Sequence, residues 1–180
     1  TGVQTCALPI WLLASPNIAS KEWVIRQYDH EVQGGSVVKP VMCGNGTSDG
    51  GVIRPLLGCQ EGLVISHGLC PKQVEDSYHM AQLAVDEAVR NAVASGAMFG
   101  YLAGLDNFSW PDPIKSEKNP DGDYKLAQLV RCAKGLHDAA VAYRVPLISG
   151  KDSMKNDYYS DGEKYSINPT LLVKKKKKIQ

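Results

Sequence analysis

The sequence lacks any apolar run near the roughly 18 residues that a membrane-spanning helix requires. It has only 2 phenylalanines, and 7% aromatic residues in all. Its five cysteines (Cys6, Cys43, Cys59, Cys70 and Cys132) are an odd number and contain no CxxC pair. The four histidines stand alone, without an HxxxH spacing. A structural zinc site and a disulfide-stapled miniprotein are therefore excluded. Free thiols in a reducing, cytoplasmic setting are the expectation. A basic footprint for nucleic acid is also missing. Five of the 20 basic residues form one run, residues 174–178. Setting that run aside leaves 15 basic against 19 acidic residues, a net charge of −4. No nucleic-acid partner and no membrane partner are expected from this balance.

What is present is the composition of an ordinary globular domain, with 43% hydrophobic and 22% charged residues over 180 positions. That length suffices for one domain with a real core. Both ends depart from the pattern. Residues 1–10 match, residue for residue, the translation of a common sequencing adapter, and no charge precedes Lys21. They read as an artefact rather than a signal peptide, which needs a basic start. Residues 174–178 interrupt an apolar strand pattern with no linker, and read as an artefactual tail. The remaining chain divides into a linker with a helical segment, 11–35, and a domain, 36–173.

Within that span Ser20 is placed to cap a short helix that Gly34 and Gly35 stop. β-like runs cover 36–42, 51–57 and 63–66, with glycine-rich turns between them. The clearest helix is 76–95, with Asp76 at its start and Gly96 just past its end. It is alanine-rich and apolar around most of its girth, so it should be buried. A strand is expected at 101–105, a polar loop at 106–122 and a second helix at 123–143, where Leu126, Leu129, Val130, Ala133, Leu136 and Ala140 recur at helical spacing. A strand at 145–149, a turn at 160–163 and a last strand at 165–173 complete the order. The fold class is therefore α+β, a mixed α/β sheet flanked by helices.

Several residues could carry chemistry. Glu87 and Asn91 lie four apart and share one helix face. Hard oxygen ligands at this spacing suit Mg²⁺, although a solvated face or a surface hydrogen bond is the commoner outcome for such a pair. Asp86 and Arg90 have the same spacing and read as a salt bridge. Gly150, Lys151 and Ser153 follow an apolar run. A glycine there admits close backbone approach, lysine offers a point charge to phosphate, and serine offers a hydroxyl. The GxxxxGK[ST] loop is absent, so this is not a P-loop. Asp106 and Asn107 are a parallel case, at what reads as the end of another strand. Asp49 beside Gly50 and Gly51 reads first as a turn former. Trp110 is expected to anchor the long loop to the core, and His30 to sit on a helix surface.

Six segments then occur in order: PNIASKE (16–22), RQYDHEVQ (26–33), SDGGVIRP (48–55), AVDEAVRN (84–91), LDNF (105–108) and ISGKDSM (148–154). Together they resemble the phosphoribosylformylglycinamidine synthase family, over about residues 12–173. The resemblance implies the N-terminal part of the second of that family's two domains similar to aminoimidazole ribonucleotide (AIR) synthetase. It implies pairing of the sheet with the first such domain, and a glutaminase domain or subunit as a further partner. Asp49, Glu87 and Asn91 match the family's Mg²⁺ ligands at an auxiliary ADP, which reverses the commoner reading of the helix pair. Asp106, Gly150, Lys151 and Ser153 match positions facing ATP and formylglycinamide ribonucleotide. Lys151 stands where smaller family members have an asparagine. The sequence also departs at Thr47, where a proline is usual, and at Gly50 and Gly51, where alanines are usual. The family's catalytic histidine and glutaminase cysteine match nothing here, so no catalytic residue is assigned and the chain alone is expected to be inactive. Three alternatives stay open: AIR synthetase or selenophosphate synthetase, a non-catalytic nucleotide-binding or dimerisation domain, and a lysine-tailed nucleic-acid binder.

Overall fold

The computed structural model describes residues 3–27, 31–42, 46–71, 75–165 and 170–179. His30 and Cys43 lie outside them. The chain begins with helix α1 (Val3–Ala14) and a four-residue helix α2 (Glu22–Ile25). The Ser20 hydroxyl accepts a hydrogen bond from the Glu22 N–H at 3.2 Å, as a residue at a helix start should. The helix expected to run on from Ser20 is thus a single turn. A 3₁₀ turn (Val32–Gly34) then leads into the strands.

These are β1 (Ser36–Val38), β2 (Val41–Met42), β3 (Gly46–Thr47), β4 (Gly50–Ile53) and β5 (Gly62–Leu69). Pro40 separates β1 from β2, where one strand was expected, because proline has no N–H for a ladder. Helix α3 (Ser77–Ala94) follows, then β6 (Ala103–Ser109), helix α4 (Gly122–Ala142), β7 (Leu147–Ser153), the hairpin β8 (Tyr158–Ser160) and β9 (Glu163–Tyr165), and β10 (Thr170–Ile179). Asp161 and Gly162 both have positive φ, 53° and 83°, as the hairpin turn at this tip demands.

Six strands form one sheet in the order β1-β4-β5-β10-β6-β7. β10 runs antiparallel to both β5 and β6, while β6 and β7 are parallel and joined through α4. That βαβ connection is the unit that requires a crossover helix. The mixed sheet flanked by helices is the architecture that the sequence pattern implies.

Helix α3 lies on one face of the sheet. Along β5, Gly62, Val64, Ser66 and Gly68 are buried beneath it, and the residues between them face the other way. Contact is closest at Gly68, where an added Cβ would stand 2.0 Å from the Ala84 carbonyl oxygen. The Ser66 hydroxyl donates to the Ala88 carbonyl at 2.8 Å. Met80, Ala84, Val85 and Ala88 of α3 join Val64, Val173, Phe108 and Leu136 in one core. Helix α4 packs alongside α3, where the Ser77 hydroxyl donates to the Gln128 carbonyl at 2.7 Å.

Trp110 anchors the following loop, as expected. It is fully buried, and its Nε1–H donates to the Lys125 carbonyl at 3.0 Å. The loop is held further by Asn119, whose Oδ1 accepts from Lys125 Nζ at 2.7 Å and Lys164 Nζ at 3.1 Å. Two ammonium groups on one buried amide oxygen are tolerable because Asp121 and Asp157 pair with them at 2.9 and 3.2 Å.

Asp76 caps α3. Its Oδ1 accepts from the His79 backbone N–H at 3.3 Å, and its Oδ2 contacts His79 Nδ1 at 2.7 Å. The His79 ring, then the His79 N–H, hold its carboxyl down at about 2. A carboxyl lowered in this way stabilises the fold above its unfolded value of about 4, and that contribution vanishes as pH falls toward 2. Asp76→Asn keeps the capping oxygen but not the titration. Its melting temperature should fall less than the parent's between pH 5 and 2. Identical slopes would remove Asp76 from the acid response.

Candidate functional site

Two clusters emerge, at the two sides of β10. The first lies where α3 passes the end of β5. Glu87 Oε2 accepts from the Leu69 N–H at 2.7 Å. Asn91 Nδ2 donates to the His67 carbonyl at 3.0 Å. The helix pair is thus turned onto the backbone of β5, beyond the point where β4 begins to pair with it. Gly50, the first residue of β4, pairs with Ser66. Asp49 immediately precedes it and is exposed. The structure thus brings Glu87 and Asn91 together at the end of β5, and among the described residues Asp49 makes no hydrogen bond with either.

This corner offers hard oxygens. Among the described residues, Glu87 Oε1 and Asn91 Oδ1 accept no hydrogen bond, while the other polar atom of each side chain is tied to β5. A carboxylate oxygen and an amide oxygen are hard donors of the kind that suit Mg²⁺. No group of three or more His, Cys, Asp or Glu side chains suited to a metal occurs among the described residues, so a softer transition-metal site is not built here. The Cys70 thiol donates to Glu87 Oε2 at 3.7 Å. Burial and the Glu87 charge push its pKa up to about 11. Beside this corner, Asp86 and Arg90 form the expected ion pair at 2.7 Å, and the Tyr143 hydroxyl donates to Asp86 as well.

The second cluster lies on β6 and β7. Their parallel register sets Asp106 opposite Gly150, Asn107 opposite Lys151 and Ser109 opposite Ser153. Here the sequence reading needs correction. Asp106 was expected just past a strand of 101–105, and Gly150 just past one of 145–149; both lie inside strands. Hydrogen bonding between β6 and β7 carries the ladder through the polar residues that otherwise signal a loop.

The Asp106 carboxylate fills the space that a side chain at position 150 would take. A Cβ on Gly150 would stand 2.7 Å from Asp106 Oδ1 and 2.9 Å from Oδ2. Burial raises the Asp106 carboxyl above its usual value, and the charge of Asp152 adds to the effect. Lys151 Nζ donates to the Ser153 hydroxyl. A cleft of about 200 Å³ opens here, lined by Leu105, Asp106, Asn107, Ser149, Gly150 and Lys151. Asn107 was noted beside Asp106 in the sequence, whereas Leu105 and Ser149 appeared only within the LDNF and ISGKDSM segments. Period-two alternation along a pair of parallel strands is the signal that could have found them.

The family model described as AIR synthase related protein, N-terminal domain, matches residues 47–173. The chain belongs to this family. Its similarity extends to larger proteins. It is 37% identical over 168 residues to the phosphoribosylformylglycinamidine synthase subunit PurL of Methanocaldococcus jannaschii, covering 93% of this chain and 21% of that one. It is 39% identical over 165 residues to the same subunit of Thermosynechococcus vestitus, covering 90% and 20%. The chain thus spans about a fifth of the length of the curated relatives it matches. Among solved structures, the Thermotoga maritima PurLQS assembly aligns with a TM-score of 0.71 at 26% identity, over 90% of this chain and 24% of that one. T. maritima PurL complexed with formylglycinamide ribonucleotide (FGAR) aligns with a TM-score of 0.65 at 26% identity, over 88% and 23%. The AIR synthase fold is thereby the fold of this chain. Among its described residues, no helix is long and apolar enough to cross a membrane.

Proposed function

We propose that this chain is the N-terminal part of the second AIR-synthetase-like domain of a phosphoribosylformylglycinamidine synthase. The observation that carries this reading is its likeness to PurL subunits across about nine-tenths of its length. Solved PurL structures complexed with ADP, ATP and FGAR support a site for nucleotide and ribonucleotide. The enzyme converts FGAR to formylglycinamidine ribonucleotide, with ATP and glutamine consumed, in purine biosynthesis in the cytoplasm. ATP phosphorylates the amide oxygen, and ammonia from glutamine displaces the phosphate.

In this reading the β6–β7 cleft faces ATP and FGAR. Lys151 places a positive charge against phosphoryl oxygens, where charge develops during transfer. Ser153 holds the Lys151 ammonium from one side and leaves its other protons for the ligand. Gly150 keeps the β7 backbone within reach of Asp106. Asp106 lines this cleft beside Gly150, its carboxyl raised by burial. Asp49, Glu87 and Asn91 are the residues that would hold Mg²⁺ for a bound ADP. The ion, when bound, neutralises phosphate charge.

The sheet face away from α3 accepts the first AIR-synthetase-like domain. Leu63, Ile65 and Leu69 of β5 alternate with the buried set, and Leu69 is 41% exposed. A glutaminase domain or subunit completes the enzyme. The chain alone supplies binding residues without turnover.

Titration calorimetry with Mg²⁺-ADP tests this reading. The chain should bind it, and Glu87→Ala should bind at least about tenfold more weakly. No heat with the parent chain, or turnover of FGAR by the chain alone, would overturn the reading.

A further inference from the structure

Among the described residues, Glu87 is held by one of its two oxygens. Its Oε2 receives two donors from consecutive residues at the end of β5. These are the Leu69 N–H at 2.7 Å and the Cys70 thiol at 3.7 Å. Both approach the same oxygen, and among the described residues Oε1 receives neither. A carboxylate on a helix can rotate about its last bond, so a single donor leaves its second oxygen free to swing. Two donors on one oxygen fix the plane of the group and therefore the direction of the other oxygen.

We infer that Cys70 is a positioning residue, which together with the Leu69 N–H clamps Glu87 Oε2 and so aims Oε1 at the bound cation. This inference rests on the reading of Glu87 as a cation ligand. Outer hydrogen bonds of this kind hold ligand carboxylates in the orientation the metal needs, and their loss weakens metal binding by about tenfold or more. A thiol is a weak donor, which puts Cys70 at the lower end of that range. Asn91 is set by the same strand in the opposite sense. Its amide donates to the His67 carbonyl, which leaves its own oxygen for the ion. The end of β5 thus orients both helix side chains, donor to carboxylate and acceptor to amide.

The test uses this chain, with Mg²⁺ and ADP titrated calorimetrically into Cys70→Ala, Cys70→Ser and Glu87→Gln. Glu87→Gln keeps an oxygen for the Leu69 N–H but turns an NH₂ toward the cation. Cys70→Ala should weaken Mg²⁺-ADP binding about tenfold, with an unliganded melting temperature within about 2 °C of the parent. Cys70→Ser, which restores an O–H donor, should bind within about twofold of the parent. If Glu87→Gln abolishes binding while Cys70→Ala binds normally, the positioning role is wrong and the cation site stands. If Cys70→Ala weakens binding and Cys70→Ser does not restore it, the thiol acts by packing and the inference fails. If Glu87→Gln itself binds normally, the cation reading falls, and this inference with it.

Discussion

Gly68→Ala should unfold this domain or come close to it. An alanine Cβ at that position would stand 2.0 Å from the Ala84 carbonyl oxygen and 2.7 Å from the Ala88 nitrogen. Both atoms belong to the backbone of α3, so no side chain can swing aside. The helix would have to lift from β5 along its most buried turn, where Ala84, Val85 and Ala88 are at most 1% exposed. Overpacking in a tight core costs about 1–3 kcal/mol, and more where backbone must move. Against the roughly 5–15 kcal/mol that holds a domain together, a cost above about 3 kcal/mol is severe. Lifting α3 would also draw Glu87 and Asn91 away from Leu69 and His67. Gly51→Ala serves as the control, because its nearest neighbour, the Val38 oxygen, is 3.9 Å away. Urea unfolding should show a large loss for Gly68→Ala and less than about 1 kcal/mol for Gly51→Ala. Equal midpoints would mean that α3 does not sit this close to the strand.

Replacing Lys175 and Lys177 together by valine should stabilise the chain. The lysine run does not hang free as a tail. It continues β10 between β5 and β6, two central strands of the sheet. Register pairs Lys175 with Ser66 and Gly104, and Lys177 with Val64. Ser66 and Val64 are buried on the α3 side, and Val173, two residues before Lys175, is buried there too. By backbone register alone, positions 175 and 177 stand opposite Ser66 and Val64. A charge on the covered face of a central strand costs several kcal/mol unless it is paired. The double variant should therefore gain about 2 kcal/mol or more, or about 4–8 °C in melting temperature at this size. Lys174→Val with Lys176→Val, on the alternate face, should gain much less. Equal gains from both pairs would show that the density of charge in the run matters and its register does not.

The helices were legible because their signals are local. Asp76 before an alanine-rich stretch and Gly96 after it, with φ of 95°, predict α3 to within a residue at each end. The recurrence from Leu126 to Ala140 does the same for α4. Strand ends were less legible. The polar stretches after residues 105 and 149 read as loops, yet β6 and β7 each continue through them to a serine. Neither stretch is strand-like alone, and the ladder between them makes both so.

The sequence by itself determined the residue types that carry chemistry, the helix that bears Glu87 and Asn91, and the family these motifs resemble. Those depend on spacing within one element or on short ordered motifs, which survive without a third dimension. Tertiary structure decided which of these residues meet. Glu87 and Asn91 meet the end of β5 only because α3 settles on Gly68. Asp106 fills the space above Gly150 only because two strands 44 positions apart run parallel in one register. The clamp on Glu87 comes from a backbone N–H and a thiol, groups that carry no motif. Pairing and close packing are long-range events, so their consequences appear only once the chain has folded.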